Sequence, residues 1–286
     1  MKTRIALACL LFFAVALNGA ALDQGYDTVE FSPAHLGGMQ VKFNIIVPRD
    51  YASSARRFPV LYLLHGYTDD YSAWVTKSNL LQYAPAYEEI IVMPEGGTGF
   101  YVNNQGNPKL QWEDYLVQDL IPYVDSHYRT VAAREGRAIA GLSMGGYGAM
   151  TLGLRHPDMF AAIASMSGAL AIAQPAITKP ITEPKIKKVL DDDFGALDNP
   201  LRAEEDPFEL IKKVPADKLP DLYFSIGSSD FLLKSNLDFL ELLTKLKVRF
   251  RFSEVPGIHE WPVWDEQIRV ILAMQAPIIG AAKAWQ

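Results

Sequence analysis

Residues 140–150 read AGLSMGGYGAM, with four glycines crowded around Ser143. Glycine costs about 1 kcal/mol relative to alanine inside a helix, so a helix-like stretch that carries so many needs a reason. An apolar, β-branched run at 138–142 precedes Ser143, and a helical pattern at 144–155 comes after it. A strand that turns this sharply into a helix strains the residue at its tip. It also demands small residues two positions away on either side, and Gly141 and Gly145 stand there. Gly146 and Gly148 then let the first helical turn lie close to the sheet. The geometry thrusts a hydroxyl outward at the positive end of a helix. A serine hydroxyl is a weak nucleophile near neutral pH and needs a base, which in turn needs an acid to orient it.

At a strand–helix junction, Gly-Leu-Ser-Met-Gly is a G-x-S-x-G nucleophile elbow, whose partners come later in the chain in the order acid, then histidine. The chain has five histidines. His35 and His65 precede the serine, while His127 and His156 fall within or at the end of helical stretches. His259, in VPGIHEWPVW, comes after the strand pattern 248–255 and precedes the last helix, which is the expected position for the base. For the acid, the run 222–226 leads into Gly-Ser-Ser-Asp. Asp230 therefore stands on a turn at a strand's C-terminal end, where open α/β sheets build their sites. Asp191–Asp193, Asp198 and Asp206 also lie in the interval, but in a proline-rich segment where a solvated charge run accounts for them. The oxyanion hole needs two backbone N–H donors. Met144 supplies one, and the turn His65-Gly66-Tyr67-Thr68 the other, through Tyr67 with Thr68 as the alternative.

With these residues placed, the chain resembles the esterase-D-type family of α/β-hydrolases, which includes S-formylglutathione hydrolases, feruloyl and acetylxylan esterases, and the antigen 85 mycolyltransferases. The matching pieces are LYLLHGYTDDYSAW (61–74), YLVQDLIPYVDSHYRT (115–130), AGLSMGGYGAM (140–150), GSSDFL (227–232) and GIHEWPVW (257–264). The resemblance implies hydrolysis of carboxylic esters through Ser143, His259 and Asp230, without metal or other cofactor. Antigen-85-like transferases carry Asp-Gly where this chain has His65-Gly66, and glutamate where it has Asp230. That sides with a secreted carboxylesterase acting on short-acyl, acetyl or feruloyl esters of small molecules or carbohydrates. An acyltransferase on the same scaffold and an S-formylglutathione-hydrolase-like thioesterase are the alternatives. Trp74, Tyr101 and Trp261, together with Asn103 and Asn104, lie near the motif loops and are candidates for substrate contact.

The elements that must carry these residues are legible in the periodicity. Apolar runs at 41–47, 60–64, 90–93, 138–142, 161–166, 222–226 and 248–255 are mostly continuous, as for strands buried on both faces of a parallel sheet. Helical patterns at 112–128, 144–155, 237–246 and 264–274 alternate with them. The expectation is an α/β-hydrolase fold, a mostly parallel doubly wound sheet with helices on both faces. Seven of the eighteen prolines fall in 170–220, which reads as an insertion of short helices laid over the domain in the manner of a lid.

The first 21 residues, with Lys2 and Arg4 ahead of an apolar run 5–17 and small residues at 19–21, have the layout of a cleaved signal peptide. The mature chain, 22–286, is then expected to be a single exported domain in the periplasm or outside the cell. The single cysteine, Cys9, goes with the leader, so neither a disulfide framework nor a cysteine–zinc site is expected. A formal charge of −6 with no Lys/Arg cluster gives no reason to expect a nucleic-acid partner, and no later run is long enough to span a membrane.

Overall fold

The computed structural model describes residues 25–281; the leader expected at 1–21 lies outside them. Eight strands form one sheet: β1 (Asp27–Phe31), β2 (Val41–Ile46), β3 (Val60–Leu64), β4 (Ile90–Pro94), β5 (Arg137–Leu142), β6 (Ala162–Met166), β7 (Asp221–Gly227) and β8 (Arg251–Val255). Their spatial order is β1-β2-β4-β3-β5-β6-β7-β8. β2 runs antiparallel to β1 and β4, and every other neighbouring pair is parallel. β3 to β6 are buried throughout, which is why they read as unbroken apolar runs.

Alternate residues of each strand feed two separate cores. Tyr62 and Leu64 of β3 point into one, with Tyr115, Tyr147, Met150, Phe224 and Phe239. Leu61 and Leu63 point into the other, with Trp74, Ile91, Met166, Ile268 and Leu272. The helices Met144–Arg155 and Leu233–Lys245 therefore cover one face, and Trp261–Ile279 covers the opposite one. The register brings the C-terminal ends of the central strands level: Leu64 faces Gly141, Leu142 faces Met166, and Gly227 faces Val255. The turns that leave these strand ends all emerge on one edge of the sheet.

Several boundaries differ from the sequence expectation for identifiable reasons. β1 has no counterpart among the apolar runs, because it is an edge strand with mostly exposed side chains. β8 begins at Arg251 rather than 248, because Lys247 takes a positive φ of 57° and Val248 N–H closes back on the Leu243 carbonyl at 2.9 Å, ending the preceding helix. The stretch 112–128 is helical but contains a π-helical turn, Tyr115–Leu120, just ahead of Pro122, which has no N–H to offer the ladder. The last helix starts at Trp261, with Pro262 in its first turn, and runs on to Ile279. In the segment 170–220 four prolines open short helices, at Pro175, Pro184, Pro200 and Pro207. Side chains of Glu183, Asn199 and Asp206 cap three of them. Proline density thus marks helix starts here.

Below the sheet, Glu89 is buried next to β4. Gln275 donates to its Oε2 at 3.0 Å, and Oε1 has no partner among the described residues. Burial raises its carboxyl to about 8. The folded state therefore binds a proton that the unfolded chain releases, and stability falls as pH rises from the ordinary glutamate value of 4.5 toward 8. Glu89→Gln is expected to raise the thermal midpoint over wild type, with a gap that widens from pH 5 to pH 8. At pH 8 the stability difference between the two should be on the order of a few kcal/mol, since one pKa unit is about 1.4 kcal/mol. Thermal unfolding at the two pH values checks this, and a gap that does not change with pH would count against it.

Candidate active site

Ser143 sits between β5 and the helix Met144–Arg155 with φ 53° and ψ −113°. This is a sparsely populated conformation for a residue with a side chain, costing on the order of 1–3 kcal/mol. Surrounding hydrogen bonds hold it: Ser143 N–H donates to the Met166 carbonyl at 2.9 Å, and its own carbonyl accepts from Tyr147 and Ala169. The flanking glycines are required by close approach. A Cβ on Gly141 would land on the backbone of Gly145, and one on Gly145 would lie 2.6 Å from the His65 carbonyl oxygen.

The level strand ends bring the three sequence candidates together. His259 Nε2 lies 2.9 Å from Ser143 Oγ. Its Nδ1 lies 2.9 Å from Asp230 Oδ2 and 3.1 Å from Oδ1. With a carboxylate facing Nδ1, that nitrogen carries the proton, and Nε2 is left to accept from the serine hydroxyl. Asp230 is 4 % exposed. Burial pushes its carboxyl upward, but hydrogen bonds from His259, the Leu232 amide and Ser167 outweigh this and hold it below the ordinary aspartate value. The ring of Trp264 packs edge-on to His259 at 4.9 Å, and that of Phe231, 76 % exposed, leans on it at 4.6 Å.

Ser167 is a member of the site that motif and spacing do not single out. It comes directly after β6, takes a φ of 48°, and is fully buried. Its Oγ accepts the Trp264 indole N–H at 3.1 Å, leaving its hydroxyl proton for Asp230. The available signal is positional: a serine directly after a buried strand, as Ser143 is.

On the other side of the serine, the N–H groups of Tyr67 and Met144 have no acceptor among the described residues. The turn carrying Tyr67 is braced by His65, which is 1 % exposed. Its Nδ1 donates to the Gly66 carbonyl at 2.8 Å, and its Nε2 accepts the Gly96 N–H at 2.9 Å, so the ring is held as one tautomer. Thr68, the alternative donor, has a φ of 68°. The Tyr67 ring stacks on Phe100 at 6.1 Å.

The aromatic candidates separate. Trp74 is 1 % exposed and donates its indole N–H to the Leu64 carbonyl at 3.1 Å. Tyr101 is equally buried, with its hydroxyl on the His65 carbonyl at 3.0 Å. These two rings are packing that supports the site's loops, a correction to their assignment as substrate contacts: both are interior and their polar atoms are already engaged. Trp261 is half-buried between Trp74 and Trp264. Asn103 and Asn104 likewise make inward bonds, to the Asp114 amide and to Asp193. Among the described residues, no group of three His, Cys, Asp or Glu side chains is arranged to hold a metal ion, and no helix is long and apolar enough to cross a membrane.

Residues 35–274 match the family model described as "Putative esterase". An acetyl esterase from Caldicellulosiruptor saccharolyticus is 29% identical over 216 residues, which cover 73% of this chain and 79% of that protein. A fluorophosphonate-binding serine hydrolase from Staphylococcus aureus superposes with a TM-score of 0.78 at 25% identity, covering 87% of this chain and 97% of the other. A ferulic acid esterase superposes with a TM-score of 0.74 at 26% identity, covering 89% and 98%.

Proposed function

The chain belongs to the "Putative esterase" family and is a serine hydrolase acting on carboxylic ester bonds; from that premise we propose that Ser143, His259 and Asp230 are its catalytic triad. The observation that supports this is the row of two 2.9 Å contacts, Asp230 Oδ2 to His259 Nδ1 and His259 Nε2 to Ser143 Oγ. His259 takes the hydroxyl proton as Ser143 Oγ bonds to the ester carbonyl carbon. Asp230 holds the imidazole tautomer and stabilises the imidazolium without taking the proton itself. The amides of Tyr67 and Met144 receive the negative oxygen, an interaction worth about 3–4 kcal/mol per donor in the transition state. The C–O bond to the alcohol breaks as His259 returns the proton to the leaving oxygen. Water, deprotonated by the same ring, then releases the acid from Ser143.

The substrates are short-acyl, acetyl or feruloyl esters. The mature protein is a single domain exported through cleavage of the 1–21 leader, and 170–220 is its lid-like insertion. Two bonds tie that insertion to the loop after β4: Asn104 Nδ2 donates to Asp193 at 2.7 Å, and Gly106 N–H to the Asp192 carbonyl at 2.7 Å. A panel of p-nitrophenyl esters of increasing chain length, run with methyl ferulate, an acetylated sugar and S-formylglutathione, tests the reading. Release of acid to water is expected, with activity concentrated on the ester substrates. Preferred transfer to an added sugar alcohol, or turnover confined to the thioester, would overturn it.

A further inference from the structure

Phe231 is the most exposed large apolar side chain among the described residues, at 76 %, yet its ring leans on His259 with centroids 4.6 Å apart and planes at 52°. Ile258, directly before His259, is 52 % exposed. Apolar residues exposed singly are ordinary on a protein surface. Here two of them flank one imidazole.

The turn that presents Phe231 is pinned on both sides. Asp230 N–H donates to the Gly227 carbonyl at 3.0 Å, Leu232 N–H to Asp230 Oδ1 at 2.8 Å, and Leu233 N–H to the Asp230 carbonyl at 3.0 Å. The amides of Ser228 and Ser229 cross to the Val255 and Gly257 carbonyls at 2.8 and 2.9 Å, which ties the turn to the segment carrying His259. A Cβ on Gly227 would lie 2.5 Å from the Gly257 carbonyl oxygen, so the two segments meet backbone to backbone. A ring set on so fixed a backbone costs little further ordering when a ligand packs on it.

The triad decides which half of a substrate meets this ring. The carbonyl oxygen turns toward the Tyr67 and Met144 amides, while the leaving oxygen takes its proton from His259 Nε2 and must lie within hydrogen-bond reach of it. The alcohol half therefore departs along the imidazole, past the exposed side chains that flank it. Phe231 offers an aromatic face there and Ile258 an aliphatic one, and neither side chain supplies the hydrogen bonds that a sugar's hydroxyls would need.

We propose that Phe231 is a specificity-determining platform for the alcohol half of the ester, and that the leaving group it favours is a flat aromatic one, a phenol. The phenol ring packs edge-on or offset against Phe231 while its oxygen receives the proton from His259. The inference rests on the triad reading and adds to it the chemical class of the alcohol.

The test compares wild type with Phe231→Ala and Phe231→Tyr on phenyl acetate, trifluoroethyl acetate and a mono-acetylated methyl xyloside. All three pass through the same acetyl-enzyme and differ only in the alcohol. In Phe231→Ala the ratio of kcat/KM for phenyl acetate to that for trifluoroethyl acetate is expected to fall about five- to tenfold, and Phe231→Tyr to restore it. Comparing variant with wild type cancels the intrinsic reactivity of each ester. A ring that served only to position or shield His259 would act on proton return, and its loss would harm the poorer leaving group, trifluoroethanol, at least as much as phenol. An unchanged or rising ratio therefore overturns the platform, and a loss on the xyloside as large as that on phenyl acetate overturns the preference for a phenol. A wild type that hydrolyses none of the three acetates would instead refute the triad reading, and this inference with it.

Discussion

Ser143→Ala is expected to lower kcat by about 10⁵–10⁶-fold while leaving the fold intact. The attacking oxygen is gone, and His259 has no hydroxyl proton to take; removing the nucleophile of such a unit costs nearly as much as removing the whole unit. The residual rate is that of the oxyanion amides and substrate binding acting on water. The strained backbone sharpens the test. Ser143 holds φ 53°, ψ −113°, a conformation that glycine reaches without the steric cost of a Cβ. Ser143→Gly should be as inactive as Ser143→Ala but more resistant to heat, because the elbow holds its backbone for the sake of the hydroxyl. Single-turnover assays and thermal unfolding of both variants check the two halves. Retention of more than about 1 % of wild-type turnover in Ser143→Ala would show that the hydroxyl is not the nucleophile, since that is far above the residual expected.

Asp230→Asn is expected to lower kcat by about 10⁴-fold with little change in KM. The amide is nearly isosteric, so packing under His259 survives. Its NH₂ group, however, donates toward Nδ1 and stabilises the tautomer protonated on Nε2, which then points a donor at Ser143 Oγ where an acceptor is required. The developing imidazolium also loses its counter-charge. Stability should respond to pH as well. In the folded protein Asp230 sits below its ordinary value of 3.8, because the bonds from His259, Leu232 and Ser167 exceed the cost of burial. Its ionised form therefore favours the native state above that value, and this contribution is lost as pH falls through the folded one. The stability gap between wild type and Asp230→Asn should shrink on acidification below about pH 4, in line with that linkage. Chemical denaturation at pH 7 and pH 3 provides the measurement, alongside steady-state kinetics.

The parts of the site that can be read along the chain share one property: each is imposed by local backbone geometry. Gly141 and Gly145 are both needed because the elbow brings their backbones into contact. The continuous apolar runs of β3, β4, β5 and β6 come from burial on both faces of a parallel sheet. His259 and Asp230 can be picked out because each comes just after a strand end, and the register makes those ends level.

Other features depend on partners distant in sequence, and no local pattern reports them. Ser167 becomes a support for Asp230 only because β6 ends between β5 and β7 and the indole of Trp264, 97 positions onward, reaches its oxygen. Trp74 and Tyr101 look alike to any reading by residue type, yet their burial depends on which core the neighbouring strand residues feed. One surface cavity joins residues 39–42, at the start of β2, to residues 189–193, which lie between β6 and β7. The acidic run there reads as solvated, whereas the fold buries Asp193 and leaves Asp191 and Asp192 partly exposed. A turn constrains its own few residues through sterics, so its chemistry is written in order along the chain. Burial and side-chain partnership are properties of the packed whole, where a residue's dielectric surroundings and hydrogen bonds come from segments it meets only after folding.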